Sequence, residues 1–514
     1  MRSALLEVSG LKTWLGKKEQ PLRAVDGVDF TIQRGETFAL LGESGCGKSM
    51  TALSLLGLNP QPVSRIVAGQ VKLAGQDLLA LSELEMQRVR GRRIAMIFQE
   101  PQSSLNPVLS VGEQISESLS LHFKLDKKAS YQRVIELLES VGIPDPAQRI
   151  KEYPHQLSGG MKQRVMIAMA LAGEPELLIA DEPTTALDVT IQAQILDLLK
   201  KIQHDTGMAI LLISHDLAVV AQMADHVAVM YAGQIVETAS RQQFFQQHQH
   251  PYTDKLFQAL PSAQKREQRL TVIKGNVPIL TQAFAGCRFV ERCDHAWDLC
   301  STTLPTWHED NEHGVRCHLF AEDIDVERTM TPQSPHSSPL SEVVPADRNL
   351  LDVRDLKVHF PIRKGLLQRV VGQVRAVDGV SLSLKQAETV ALVGESGCGK
   401  TTVGKGILQL VSVTDGEVSF QGHQLNGLSE RALKQHRSSL QIVFQDPYSS
   451  MNPRMTVSQI IEEGLSKKQF AKDNNAKEKR IDELLERVGL RVEIKHRYPH
   501  EFSGGQRQRI CIAR

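Results

Sequence analysis

The sequence predicts an α/β protein made of two copies of one domain, each with a mostly parallel sheet covered by helices. Long blocks recur in the same order: Leu40–Ser49 (LLGESGCGKS) returns as Leu392–Thr401 (LVGESGCGKT), and the segments IFQEPQSSLNP and YPHQLSGG each return with few changes. The spacing between matching blocks, from Leu40 to Leu392, is far longer than a solenoid unit. A chain of 514 residues has room for both copies and for additional segments.

Short apolar runs in the first copy predict its strands. Glu36–Leu41, Pro175–Asp181 and Met208–Ser214 are each apolar and end next to polar residues or glycine. Between the last two, Ile191–Ile202 has the periodicity of a helix. Strands that alternate with helices predict parallel pairing, with helices on both faces of the sheet.

Charge and hydropathy exclude several classes of protein. Lys and Arg number 60 against 59 Asp and Glu, a net charge of +1, which argues against a nucleic-acid partner. No apolar run reaches the roughly 18 residues of a membrane-spanning helix, and the amino terminus lacks a secretory signal. These features predict a protein without its own transmembrane segment.

A phosphate-binding loop is predicted in each copy. Gly42, Gly45, Gly47, Lys48 and Ser49 fit the pattern G-x-x-x-x-G-K-[ST] between a predicted strand and a predicted helix. The glycines let backbone N–H groups converge on phosphate oxygens, the lysine reaches the terminal phosphates, and the serine ligates Mg²⁺. The second copy repeats the pattern with Gly394, Gly397, Gly399, Lys400 and Thr401.

An acidic pair and a histidine follow two of the predicted strands. Asp181 is suited to hold Mg²⁺, Glu182 to polarise the attacking water, and His215 to contact the γ-phosphate. Alone, the acidic pair would be read as the start of a loop and the histidine as a structural or surface residue. The phosphate loop upstream favours the catalytic interpretation.

In combination, these motifs resemble the ATPases of ABC transporters. LSGGMKQR (Leu157–Arg164) and FSGGQRQR (Phe502–Arg509) are similar to the signature motif of that family. The resemblance implies ATP and Mg²⁺ as cofactors and a helical subdomain beside each sheet. It also implies that two domains close head to tail, with ATP between the phosphate loop of one and the signature of the other.

The resemblance also assigns roles to single residues. Gln99 and Gln445 match the glutamine loop, which contacts Mg²⁺ and the reacting water, and Ala186–Asp188 matches the D-loop. The signature residues implied to contact ATP are Ser158, Gly160, Ser503 and Gly505. The aromatic residues implied to stack on adenine are Trp14 and Phe360, although both could instead be core aromatics of the first strand.

Features after the first copy resemble a subfamily. His250–Thr253 (HPYT), Gly275–Pro278 and Gly286-Cys287 are similar to the extension of dipeptide and oligopeptide importer ATPases, which include glutathione and nickel importers. The resemblance implies a peripheral protein on the cytoplasmic face of the inner membrane. It would drive two separate transmembrane permease subunits, supplied with cargo by an extracytoplasmic substrate-binding protein.

Four regions are predicted along the chain. They are a first ATPase domain at 1–260, an extension at 261–325, a flexible linker rich in Pro and Ser at 326–348, and a second ATPase domain at 349–514. The second domain stops after its signature, where Arg514 corresponds to Met169 of the first copy. We expect a truncated form of a longer fused ATPase, and a second copy that is only partly folded is the alternative.

Four cysteines in the extension predict a metal site. Cys287, Cys293, Cys300 and Cys317 follow the spacing C-x₅-C-x₆-C-x₁₆-C. Four thiolates suit an iron–sulfur cluster or zinc, although the close C-x₂₋₄-C pairs typical of zinc sites are absent. The resemblance favours a four-iron four-sulfur cluster, while zinc and unliganded structural cysteines remain open.

Two other classes of function are alternatives to transport. Soluble twin ATPases also act on ribosomes or DNA, but the charged helical linker and the paired CxxC modules expected of them are absent. A non-catalytic binding module is the other alternative, raised by the early end of the second copy.

Overall fold

The computed structural model divides the chain into two units, Met1–Ser341 and Glu342–Arg514. It describes residues 3–185, 187–261, 273, 275, 277–278, 280–281, 283–321, 349–364, 369–395, 397–465, 473–502 and 504–514. The predicted linker at 326–348 lies outside these described residues.

Two sheets form the frame of the first unit. One is antiparallel, in the order β2-β1-β4-β5, and the other has the order β11-β12-β10-β9-β3-β8-β7-β6. The strands are β1 Ala4–Leu15, β2 Leu22–Gln33, β3 Thr37–Leu41, β4 Ser64–Leu73, β5 Gln76–Asp77, β6 Ile94–Ile97, β7 Leu177–Asp181, β8 Ala209–Ser214, β9 His226–Tyr231, β10 Gln234–Ser240, β11 His308–Asp310 and β12 His313–Val315.

The centre of the larger sheet is parallel, as the sequence predicts. Strand β3 lies between β8 and β9, and β7 lies between β8 and β6, with all four pairs parallel. Every residue of β3, β7 and β8 is buried, which explains why their sequences are continuous apolar runs. Their carboxyl ends therefore meet at one edge of the sheet, where ligands bind in open α/β folds.

Helices cover the sheet and form a subdomain with its own apolar core. Within the described residues, no helix is both long and apolar enough to cross a membrane. The helices are α1 Lys48–Leu55, α2 Glu83–Val89, α3 Pro101–Ser104, α4 Val111–His122, α5 Lys127–Ser140, α6 Pro146–Arg149, α7 Gly159–Leu171, α8 Val189–Thr206, α9 Leu217–Met223, α10 Arg241–Gln247, α11 Pro251–Gln258 and α12 Asp298–Thr302, with 3₁₀ turns at Pro154–Gln156, Val290–Arg292 and His318–Phe320.

The extension is integrated into the first unit and extends its large sheet. Strand β12 pairs with β10, and His313 bonds to the fully buried carboxylate of Glu237 at 2.8 Å. Burial acts to raise the pKa of Glu237, but the hydrogen bond from His313 prevails and lowers it. Removing one partner of such a buried pair costs about 3–5 kcal/mol, so this contact holds the extension in place.

The second unit has one antiparallel sheet, in the order β14-β13-β15-β16. Its elements are β13 Asn349–Lys364, β14 Arg369–Lys385, β15 Asp415–Phe420, β16 His423–Gln424, α13 Lys400–Ile407, α14 Glu430–His436, α15 Pro447–Ser450, α16 Val457–Gly464, α17 Asn474–Arg487 and α18 Gly504–Ala513, with 3₁₀ turns at Val492–His496 and Pro499–Glu501.

The second unit departs from the predicted repeat at its central strands. The apolar residues before the second phosphate loop form no strand, and Val390, Leu392 and Val393 are 47%, 47% and 86% exposed. In the first unit the matching strand β3 is bonded on both sides by β8 and β9. Among the described residues of the second unit, no strand pairs with this segment, so its backbone groups gain no sheet hydrogen bonds.

Candidate functional site

The first phosphate loop connects β3 to α1 at the carboxyl edge of the parallel strands. Gly47 caps α1 with a φ of 111°, and a side chain there would overlap the carbonyl oxygen of Ala24. The ammonium group of Lys48 donates to the carbonyl oxygens of Gly42 at 2.7 Å and Glu43 at 3.0 Å. At position 47, glycine is required both because a side chain would not fit and because the backbone is left-handed.

Asp181 and Ser49 form a pair suited to Mg²⁺. Asp181, at the end of β7, is 4% exposed, and burial raises the pKa of its carboxyl group, while the neighbouring Ser49 hydroxyl acts to lower it. Its Oδ1 atom is buried and has no hydrogen-bond partner among the described residues. Mg²⁺ prefers oxygen ligands. The buried Oδ1 of Asp181, which accepts no hydrogen bond from a described residue, and the nearby Ser49 hydroxyl are ligands of this kind.

Glu182 is held by three neighbouring side chains. Its Oε2 atom accepts hydrogen bonds from Gln99 at 2.7 Å and Thr185 at 2.9 Å, and Oε1 lies 3.0 Å from Nδ1 of His215. The residue itself adopts a left-handed φ of 48°, which costs about 1–2 kcal/mol outside glycine. The surrounding hydrogen bonds therefore hold the carboxylate in one orientation despite a strained backbone.

The charges of this group suit water activation. Burial would raise the pKa of Glu182, but the hydrogen bond and charge of His215 lower it to about 2. The pKa of His215 is raised in turn by its hydrogen bond to Glu182. The carboxylate is therefore ionised at neutral pH and can accept a hydrogen bond from an attacking water, while Lys48 and His215 supply positive charge for a phosphoryl group.

The remaining predicted residues of the first unit lie at the surface or half-buried. Ser158 caps α7, its hydroxyl accepting from the Met161 N–H at 3.4 Å, and stays exposed. Gly160 follows in the first turn of α7. Trp14 lies on β1 with the guanidinium of Arg23 at 5.0 Å from the centre of its ring.

The second phosphate loop keeps its local geometry but is open to solvent. Lys400 donates to the carbonyl oxygens of Gly394 and Glu395, each at 2.6 Å, and Gly399 caps α13 with a φ of 101°. The other predicted residues of this unit are exposed, namely Gly397, Thr401, Gln445, Gly505 and Phe360, the last at 43%. Ser503 and, in the first unit, Ala186 lie outside the described residues.

The four extension cysteines come together but do not form a ligand set. All four line one small cavity of about 10 Å³. Burial raises the pKa of Cys293 to about 11 and that of Cys317 to about 12. Across the described part of the chain, no three His, Cys, Asp or Glu side chains are arranged to hold a metal ion. The donors fit a metal site in kind and number but not in their present arrangement.

Two contacts of the phosphate loop were not predicted. The guanidinium of Arg292, in the extension, bonds to the carboxylate of Glu43, and the Glu43 N–H donates to the hydroxyl of Tyr252 at 2.9 Å. The sequence indicates Tyr252 only as part of the HPYT segment, without a role at the phosphate loop. More than two hundred residues separate these partners in the sequence, so no local pattern could have revealed the contacts.

A larger cavity lies elsewhere in the first unit. It measures about 830 Å³ and is lined by β2, β9 and β10 together with the extension residues Trp307, Glu309 and Arg316. None of the predicted ATP-site residues lines it. The predicted ATP site therefore lies at the carboxyl edge of the parallel strands and not in this larger cavity.

Together, the loop, the Mg²⁺ pair and the oriented glutamate define a phosphate-loop ATPase. A family model described as "ABC transporter" matches residues 25–185 and 377–514, and one described as "Oligopeptide/dipeptide transporter, C-terminal region" matches residues 236–300. The chain belongs to the ABC transporter family and is an ABC-type ATPase that uses ATP and Mg²⁺.

Curated relatives match nearly the whole chain. Glutathione import ATP-binding protein GsiA of Pectobacterium atrosepticum is 43% identical over 515 residues, covering 99% of this chain and 75% of its own length. Oligopeptide transport ATP-binding protein OppD of Mycobacterium bovis is 42% identical over 522 residues, covering 100% and 84%. Peptidoglycan transport ATP-binding protein YejF of Agrobacterium fabrum is 43% identical over 491 residues, covering 96% and 76%.

Proposed function

We propose that this chain is the ATP-hydrolysing motor subunit of a bacterial importer for peptides or related cargo. The observation that carries the proposal is the match of residues 236–300 to the extension of oligopeptide and dipeptide transporters, directly after an ABC-type ATPase. The names of the relatives point the same way, since they import glutathione or transport oligopeptides. An extension of this kind favours transport over an ATPase acting on ribosomes or DNA.

The partners follow from the motor function. The chain would work with two transmembrane permease subunits on the cytoplasmic face of the inner membrane, with cargo delivered by an extracytoplasmic binding protein. The first unit supplies the groups for hydrolysis from its own residues: the phosphate loop, the Mg²⁺ pair, Glu182 and His215. Phosphoryl transfer depends on positioning and charge stabilisation, which is what these groups provide.

The regions and site residues are proposed to act as the family pattern implies. The first ATPase domain spans 1–260, the extension 261–325, the linker 326–348 and the second domain 349–514. The exposed signature of each domain would close on ATP held by the phosphate loop of the other. Exposure of Ser158 and Gly505 supports this role, because a signature must be free to meet a nucleotide.

Uptake in cells tests the proposal. We expect a strain that lacks this gene to lose import of one of three labelled cargoes: an oligopeptide, glutathione or a peptidoglycan fragment. The wild-type gene should restore import, and the variant Glu182→Gln should not, although it is present in equal amount. Unchanged import of all three cargoes in the deletion strain would remove the proposed function and leave the ATPase activity standing.

The cysteines are proposed to hold a four-iron four-sulfur cluster, as the resemblance implies. Their convergence on one cavity supports this, and binding would require the buried thiols to lose their protons and shift into a ligand set. Protein purified without oxygen should then be brown, with about four iron and four sulfide per chain. Colourless protein with about one zinc per chain would favour zinc, and metal-free protein would leave structural thiols.

A further inference from the structure

Arg292 of the extension and Tyr252 of the first ATPase domain both bind Glu43, a residue of the first phosphate loop. Two parallel bonds join Arg292 to this carboxylate, Nη1 to Oε2 at 2.7 Å and Nη2 to Oε1 at 3.0 Å. The backbone N–H of the same glutamate donates to the hydroxyl of Tyr252. A bidentate guanidinium–carboxylate pair fixes orientation as well as distance, so both the side chain and the backbone of Glu43 are held.

Arg292 is itself fixed by residues of the first ATPase domain and of the extension. Its side chain is 5% exposed, and Nη1 also donates to the hydroxyl of Tyr231 at 3.2 Å. Its carbonyl oxygen accepts a hydrogen bond from Lys255 at 2.8 Å. The aromatic rings of Tyr231 and Phe289 pack against each other beside the guanidinium, with their centres 5.2 Å apart. Because these contacts fix the position of Arg292, its bonds to Glu43 restrict movement of the loop.

Glu43 also belongs to the part of the loop that binds the side chain of Lys48. The carbonyl oxygens of Gly42 and Glu43 both accept hydrogen bonds from Lys48. Lys400 makes the same two contacts in the second unit, where the equivalent Glu395 is exposed. The lysine contacts are therefore a property of the loop itself. Arg292 additionally fixes the position of that loop relative to the rest of the first unit.

We propose that Arg292 is a positioning residue for ATP binding: the extension holds the first phosphate loop in its nucleotide-binding form through the Arg292–Glu43 pair. The inference rests on the ATPase function of this site. A loop held in advance loses less freedom when it closes on phosphate, so affinity is gained without any contact between Arg292 and ATP.

A double-mutant cycle tests the pair in the full chain. Arg292→Gln and Glu43→Gln should each weaken binding of a fluorescent ATP analogue by about tenfold, within the range typical of coupled sites. The double variant should bind ATP no more weakly than either single variant, because each substitution breaks the same Arg292–Glu43 interaction. KM for ATP should rise while kcat at saturating ATP stays near wild type, and Arg292→Lys should restore part of the affinity.

Arg288 supplies a matched control on the same segment. It forms a buried ion pair with Asp26 at 2.7 Å, and no bond from Arg288 to Glu43 is present among the described residues. Arg288→Gln should therefore lower the melting temperature as Arg292→Gln does, yet leave ATP affinity within about twofold. A merely structural role for Arg292 would give both variants the same loss of affinity and would overturn the proposal.

Other outcomes are also decisive. If Arg292→Gln does not fold, Glu43→Gln alone carries the test, since that side chain is 28% exposed and its replacement conserves shape. Wild-type affinity in Glu43→Gln would then refute the inference. Failure of the wild-type chain to bind ATP would instead count against the ATPase function itself, so the two failures are distinguishable.

Discussion

Replacing Glu182 by Gln is expected to leave ATP binding intact and to slow hydrolysis by roughly 10²–10⁴-fold, the range for loss of a general base. Binding survives because Lys48, Ser49 and Asp181 are unchanged. The amide keeps the shape of the side chain but cannot accept a proton from water. Since the pKa of Glu182 is lowered to about 2 by His215, the wild-type carboxylate is ionised throughout the range from pH 5 to pH 8.

Steady-state phosphate release and binding of a fluorescent ATP analogue measure the two effects separately. Glu139→Gln is a suitable control, because Glu139 lies exposed on α5, away from the site, and should leave both values unchanged. Phosphate release near the wild-type rate in Glu182→Gln would exclude this carboxylate from the mechanism. The same result would shift attention to Asp181 as the remaining carboxylate at the end of β7.

Replacing Lys48 by Met is expected to weaken ATP binding and to lower hydrolysis by roughly 10²–10³-fold, as for the loss of one preorganised donor. Lys48, at the start of α1, is 5% exposed, and its ammonium group donates to the carbonyl oxygens of Gly42 and Glu43. Methionine has a similar length and no charge, so the change removes the contact with phosphate and little packing.

Titration with ATP measures affinity, and phosphate release measures the rate. Lys200→Met serves as the control, since Lys200 is exposed on α8 and should leave both unchanged. Because unfolding would also abolish activity, the circular dichroism spectrum of Lys48→Met should match that of the wild type. Wild-type hydrolysis by a folded Lys48→Met variant would show that this loop is not the site of ATP turnover.

Much of the first site was predictable because its chemistry is encoded locally. The phosphate loop needs glycines and a lysine at fixed spacing between a strand and a helix, and β3, the loop and α1 follow that order. Asp181 ends β7, Glu182 follows it, and His215 follows β8, so the strand predictions were enough to place these residues at one edge. Local residue order and apolar runs are what a sequence displays.

The second unit shows where local pattern is not enough. Its phosphate loop repeats the first almost letter for letter, and the loop geometry around Lys400 is indeed reproduced. The strand before it is not, because a buried parallel strand exists only when neighbours on both sides accept and donate its backbone hydrogen bonds. An apolar run is therefore a necessary signal for such a strand and not a sufficient one.

The sequence by itself determined the two phosphate-loop motifs, the acidic pair, the place of His215 after its strand and the family to which the chain belongs. Tertiary structure alone decided that Gln99 and His215 both bind Glu182, that the four cysteines share one cavity, and that Arg292 grips Glu43. The physical reason is the distance along the chain. A motif of neighbouring residues folds with its own segment, whereas a pair formed across hundreds of residues depends on how whole elements pack.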